Sequence, residues 1–305
     1  MTLTDLPPSL GWFVGLTGLA LLALALGHTL GRGPKWWGRA GLVVGVGIIA
    51  AWAFLARRPS VAVAVLPVGV LSRIEGVAAV PAFMLVCGVA WGAARLRHQR
   101  RLAMWAAALG AVYFLNGGLW MLQHTPGADH FDRQARREVL QTQDFSCVPA
   151  ACATALTRLG LPTDEATMAE LTETRAGTGS TLFRAMEGLS HRLEASDLRV
   201  VLVEPRYEQL SRMPMPALTP LQFEASRRHM VTLLECGPHG VLLIDPMRGE
   251  IWMPAADFLE AYRGVVLAFV DHRGIDVPRR DPWLAEAGRR ALERAGVAAT
   301  RFVAR

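Results

Sequence analysis

Four roles that attack on a peptide carbonyl by sulfur requires can be filled by residues of this chain. Cys147 can be the nucleophile, His229 a base, Asp245 the group that steadies that base, and Gln141 or Gln143 a side-chain amide for a developing oxyanion. Cys147 stands in Gln141-Thr142-Gln143-Asp144-Phe145-Ser146-Cys147-Val148-Pro149-Ala150-Ala151-Cys152. Pro149 suits a first helical turn, where no amide donor is needed. Val148, Ala151, Cys152, Ala155, Leu156 and Leu159 then recur at the spacing of one helix face, and Gly160 ends the run. Cys147 is therefore expected at a helix N-terminus, where the helix dipole favours a thiolate. Cys152 falls on the buried stripe and reads as a core thiol.

His229 and Asp245 are joined by geometry. His229–Leu234 and Val241–Ile244 read as strands of a hairpin turning in Glu235-Cys236-Gly237-Pro238-His239-Gly240. With the turn centred at Gly237, the two residues are equidistant from it and face each other directly across the strands. An aspartate there can hold an imidazole in one tautomer and favour its protonated form.

The elements that position these groups occupy only part of the 305 residues. The chain is 52% hydrophobic with a net charge of +6, too apolar for an ordinary water-soluble fold. The long uncharged runs precede residue 123: Ser9–Leu30, about 40–56, about 76–94 and about 102–122. Val61–Leu71, interrupted by Pro67, reads as a re-entrant or interfacial piece. Trp12, Trp36, Trp37, Trp91 and Trp120 fall near the predicted ends, as an aromatic belt would. The arginines gather between apolar runs, which fits topology signals rather than a phosphate-binding face, so no nucleic-acid partner is expected. Arg32, Lys35 and Arg39 follow the first span, and Arg95, Arg97, Arg100 and Arg101 the third. The positive-inside rule puts both loops in the cytoplasm and, with four spans, the remainder of the chain outside. Arg57, Arg58 and Arg73 pull the other way, and a fifth span at 61–71 would turn the remainder inward.

After the spans, 124–137 reads as a linker. Its His124, Asp129, His130 and Asp132 match no common metal site, and the four cysteines give neither a zinc pattern nor a disulfide framework. Helices are expected at 164–174 and 182–192, the second capped by the loop Gly177–Thr181. That loop lacks the lysine and the preceding strand of a phosphate-binding loop. Strands follow at 198–203, 229–234, 241–244 and 250–253, with 213–220 a proline-rich approach. Asp281–Arg305 reads as a basic amphipathic helix.

Taken together, the segment around Cys147, the Gly177–Thr181 loop with its helix, Arg228-His229-Met230-Val231, Ile244-Asp245-Pro246 with Gly249, and Phe258, Tyr262 and Gly264 resemble the bacteriocin-processing, double-glycine leader cysteine peptidases. The motifs stand in that family's order over about residues 138–270. The resemblance implies a papain-like fold, endopeptidase activity without a metal or other cofactor, and an oxyanion hole using the glutamine six positions before the cysteine, which selects Gln141. Val148 departs from the family's glycine after the cysteine. The family's best-known members carry this domain ahead of an ABC transporter, whereas here spans come first and no ATP-binding motif is read.

The expected architecture is an N-terminal all-α transmembrane bundle of about four spans plus a C-terminal α/β papain-like cysteine peptidase domain with an antiparallel sheet. Its boundaries are 1–123 for the anchor, 124–137 for the linker, 138–272 for the peptidase domain and 273–305 for the tail. The expected activity is a membrane-anchored cysteine endopeptidase, catalysed by Cys147, His229, Asp245 and Gln141 without cofactors. Its expected partners are a peptide or protein substrate, the lipid bilayer and an export system. A catalytically inactive peptide-binding domain on the same fold is the alternative.

Overall fold

The computed structural model describes residues 8–123, 126–224 and 227–271. The tail expected at 273–305 lies outside the described residues, as does His124. Two units separate, Met1–His124 and Thr125–Arg305.

The first unit is helical: α1 (Pro8–Arg32), α2 (Lys35–Arg57), α3 (Pro59–Val65), α4 (Val68–Ile74), α5 (Val80–Ala93) and α6 (Arg97–Gly118), the last followed by a 3₁₀ turn, Leu119–Leu122. Three stretches have the length and composition to cross a membrane, Ser9–Arg32, Lys35–Arg57 and Arg97–Leu122. The span expected at 76–94 is shorter than read. Gly76 adopts a left-handed turn, and α5 has 14 residues, about 21 Å at 1.5 Å per residue. The apolar stretch at 61–71 is broken at Leu66-Pro67 into the two seven-residue helices α3 and α4. Trp120 is buried rather than belted at an interface, whereas Trp36 and Trp37 are exposed and packed on each other.

Four glycines decide how α1 meets α5. Gly27 and Gly31 lie against the backbone of Leu85, Gly88, Val89 and Gly92, and Gly88 and Gly92 lie against the carbonyls of Leu24 and His28. Each helix thus carries two glycines four residues apart, and the backbones touch where side chains would keep them separated. The pairs advance together, Gly27 with Gly88 and Gly31 with Gly92, so α1 and α5 run parallel. Gly110 of α6 meets Phe83 while Gly117 meets Val77, so α6 is antiparallel to α5. Gly27→Leu is expected to destabilise this unit by at least about 2 kcal/mol, as overpacking does. Gly47→Ala, with nothing within 4 Å of the added Cβ, should be neutral or slightly stabilising. Thermal unfolding in detergent reads both.

In the second unit, helices α7 (Cys147–Arg158), α8 (Glu165–Leu171) and α9 (Leu182–Leu193) precede a six-stranded sheet: β1 (Leu198–Val203), β2 (Ala217–Glu224), β3 (Arg227–Gly237), β4 (Gly240–Asp245), β5 (Gly249–Pro254) and β6 (Val266–Asp271). Short helices α10 (Tyr207–Leu210) and α11 (Ala255–Ala261) connect strands. The order is β1-β6-β2-β3-β4-β5, every described pairing antiparallel. α7 is capped as its sequence demands. Leu161 N–H donates to Leu156 O and Gly160 N–H to Thr157 O, with Gly160 left-handed, which satisfies the last carbonyls of the helix. α9 begins where Thr181 accepts the Arg184 amide. One sheet face carries the core of Leu221, Val231, Leu233, Val241, Leu243 and Phe258. Thr232 points the other way, and its hydroxyl donates to Ala151 O of α7 at 3.0 Å, fastening helix to sheet.

Two strands were not anticipated. β6 follows the closing helix directly, in a run too short to separate from that helix by periodicity. β2 contains Pro220, which argues against a central strand. The structure resolves the conflict: β6 pairs only with Ala217 and Leu218 of β2, so Pro220 needs a ladder partner only toward β3, where it faces Met230.

Candidate active site

Cys147 is the first residue of α7 and Ser146 its N-cap. The backbone amide of Cys147 is among those that a helix start leaves without an intrahelical acceptor. The thiol is hydrogen-bonded to His229 and to the backbone amides of Met230 and Val148. Across the imidazole, His229 Nε2 donates to Asp245 Oδ1 at 2.7 Å, which leaves Nδ1 for the sulfur. Asp245 Oδ1 also accepts the Met247 amide at 2.8 Å. The imidazole and carboxylate are largely buried, 13% and 9% exposed.

The hairpin register differs from the expectation, and the difference matters. The turn tip is Pro238-His239, with Gly237 opposite Gly240, not a turn centred at Gly237. Continued without interruption, that register would set Asp245 against Thr232 and put His229 on the opposite face. A bulge intervenes: Leu233 pairs with Leu243 but Glu235 with Leu242, leaving Leu234 as the extra residue. It advances β3 by one position and brings Asp245 level with Val231. His229 then lies diagonally, two residues along on the same face, within reach of a side chain. The bulge creates the contact.

Gln141 and Gln143 part company. The Gln143 side chain donates to His130 O at 3.0 Å. Gln141 Nε2 donates to Gln143 O at 2.8 Å, and its Oε1 is buried without a hydrogen-bond partner among the described residues. A primary amide has two hydrogens, so Gln141 keeps one after that bond. Its backbone amide donates to Pro246 O at 2.8 Å, tying the segment before the cysteine to the turn after Asp245. The Gly177–Thr181 loop closes on the same segment. Gly179 is left-handed, and a Cβ there would come within 2.9 Å of Phe145 O. Among the described residues, no three His, Cys, Asp or Glu side chains are grouped to hold a metal ion.

Electrostatics separates the two thiols of α7. Burial pushes the Cys147 thiol up, but the His229 hydrogen bond, the Met230 amide, the imidazole charge and the Val148 amide outweigh it and bring the thiol below its ordinary value. For His229, burial works downward, while the hydrogen bonds to Asp245 and Cys147 and their negative charges work upward and prevail, to about 9. Asp245 is lowered: burial opposes, but the His229 bond, the Met247 amide and the His229 and Arg248 charges win. Burial, with the nearby Cys147 charge, raises Cys152 far out of range.

Both shifts favour the charged form of the pair, thiolate with imidazolium, over the neutral one. Iodoacetamide alkylation of Cys147 should set in below the usual thiol range and keep a plateau up to about pH 9. Above that pH His229 loses its proton and the pair its character. Asp245→Asn removes a group that raises His229, so the alkaline end of the plateau should move to lower pH. An unmoved limb would mean that Asp245 does not hold the imidazolium.

A thiol at a helix N-terminus, an imidazole on an antiparallel sheet and a carboxylate beyond it make this a papain-like peptidase fold. Residues 136–273, within the second unit, match the model of the Peptidase C39 family. No curated protein matches the chain. Among solved structures, the chain is similar to a double-glycine-motif protease from an AMS/PCAT transporter in complex with the leader peptide, at 18% identity and TM-score 0.38, covering 48% of this chain and 96% of that one. It is also similar to the peptidase domain of Streptococcus ComA, at 16% identity and TM-score 0.39 over 44% and 97% of the two chains. The peptidase domain of Streptococcus mutans ComA gives 14% and 0.35 over 44% and 99%.

Proposed function

We propose that this chain is a membrane-anchored cysteine endopeptidase. The hydrogen-bonded series Asp245–His229–Cys147 at the start of α7 carries this reading. Cys147 thiolate adds to the scissile carbonyl carbon. The resulting oxyanion is met by the Cys147 backbone amide and the free hydrogen of Gln141 Nε2. His229 imidazolium gives its proton to the departing amine, the C–N bond breaks and a thioester remains. Water, deprotonated by the now neutral His229, attacks the thioester and releases the acid and the thiol. Asp245 holds the ring with Nδ1 toward sulfur throughout.

The proposed substrates are leader peptides cut after a pair of small residues, delivered by an export system. The test is incubation of the full chain in lipid nanodiscs with a peptide library that includes Gly-Gly leaders, cleavage being read by mass spectrometry. Cleavage enriched after Gly-Gly is expected. Histidine-dependent alkylation of Cys147 with no peptide cut would overturn the endopeptidase reading in favour of a binding module.

The proposal places the peptidase domain outside the cytoplasm. Parallel α1 and α5 both end in basic loops, Arg32–Arg39 and Arg95–Arg101, and the positive-inside rule assigns such loops to the cytoplasm. The antiparallel α6 then leaves on the far side. A membrane-impermeant maleimide should label Cys147 in intact spheroplasts; labelling only after lysis would reverse the sidedness.

A further inference from the structure

Glu165 is a fully buried carboxylate that the proposed mechanism does not use. Its side chain takes four hydrogen bonds: from the Asp132 amide at 3.2 Å, the Thr142 amide at 3.0 Å, the Thr142 hydroxyl at 2.9 Å and the Ser146 hydroxyl at 2.6 Å. Among the described residues no cation pairs with it. A buried carboxyl group cut off from water is costly unless donors replace the lost hydration. Here every donor comes from the irregular stretch 132–146, which delivers the chain to Cys147. Two of the three donating residues adjoin groups of the proposed mechanism: Thr142 follows Gln141, and Ser146 precedes Cys147.

The bonds also form a relay. Glu165 Oε1 accepts from Ser146 Oγ, Ser146 Oγ accepts from the Gln143 amide at 3.1 Å, and Gln143 O accepts from Gln141 Nε2. The amide meant for the oxyanion is thus held, three bonds away, by a carboxylate on α8. Sequence reading passed Glu165 over because an acidic residue in a first helical turn already has an ordinary explanation. The missed signal lay in the burial of a carboxyl side chain, which only the fold reveals.

We infer that Glu165 is a positioning residue for the oxyanion hole: by anchoring Ser146 and Thr142 it sets the orientation of the Gln141 side-chain amide. This rests on the peptidase reading above. The variants are Glu165→Gln, which keeps the shape but replaces one acceptor oxygen, and Ser146→Ala, which cuts the relay and leaves Glu165 its other donors. In the full chain, each should lower kcat for peptide hydrolysis about 10- to 100-fold, with KM within about twofold, since the interaction is needed only as the oxyanion forms. Alkylation of Cys147 by iodoacetamide, which needs the thiolate but no oxyanion hole, should keep its wild-type rate and pH profile. In a Gln141→Ala background, Glu165→Gln should cost nothing further.

Unchanged kcat in both variants would overturn the inference. So would a parallel fall in kcat and alkylation, which would mark general collapse around the thiol. If the wild-type chain alkylates but cuts no peptide, the peptidase reading is what has failed. Hydrogen exchange then decides on Glu165: its amide partner Thr142 should lose protection in Glu165→Gln, and unchanged protection would overturn the anchoring as well.

Discussion

Cys147→Ala is expected to lose at least about three orders of magnitude in peptide hydrolysis, while Cys152→Ala keeps most of it. The two thiols sit on one helix in opposite electrostatic settings. Cys147 has the imidazole and two backbone amides as donors and is brought below the ordinary thiol range; Cys152 is wholly buried and pushed far above it. Deleting the first sulfur removes the thiol that is hydrogen-bonded to His229 and that the proposed mechanism uses as its nucleophile. Deleting the second leaves a small void in the core, with a cost in stability of about 1 kcal/mol. Initial rates on a cleavable leader peptide, with thermal unfolding alongside, read both effects. Equal rates in the two variants would remove Cys147 from the mechanism.

Deleting Leu234 should be nearly as damaging, although the residue touches neither sulfur nor imidazole in any described bond. Leu234 is the extra residue of the β3 bulge. Without it the register set at the Pro238-His239 turn runs on unbroken, and a one-residue slip exchanges the two faces of a strand. His229 then turns away from Asp245. The expected result is at least a 100-fold fall in hydrolysis together with loss of the neutral-pH plateau of Cys147 alkylation. Leu234 also packs with Leu242 and Ile244, so a second variant separates register from packing. Leu234→Ala keeps the count and removes the side chain: it should destabilise by roughly 2–5 kcal/mol yet retain the plateau in the fraction that remains folded. A deletion variant that keeps wild-type alkylation would show that the bulge does not govern the site.

These two cases mark what was legible in the sequence. The helix after Cys147 was fully readable, because its signals are local: Pro149 in the first turn, the apolar stripe and Gly160 past the end. β1 was found with the observed bounds for the same reason. The His229–Asp245 contact was reached through an incorrect register. Turn position and bulge both depend on cross-strand pairing, which a pattern of alternating residues fixes only to within a residue or so. β2 was missed because Pro220 is disfavoured in a strand paired on both sides, and only the topology reveals how little of β2 pairs with β6. α5 was read as starting at Gly76 because hydropathy measures apolar length, whereas the helix itself begins at Val80, after the Gly76 turn. Gln141 and Gln143 have the same chemistry and nearly the same place in the chain. What distinguishes them is the carbonyl each amide meets.

The hydroxyl of Thr232 bound to Ala151 has a consequence for turnover. Ala151 lies one helical turn beyond Cys147, and Thr232 three residues beyond His229. Sulfur and imidazole are therefore registered against each other by a buried joint between helix and sheet. In the proposed mechanism their approach is thus settled when the chain folds rather than afresh in each cycle.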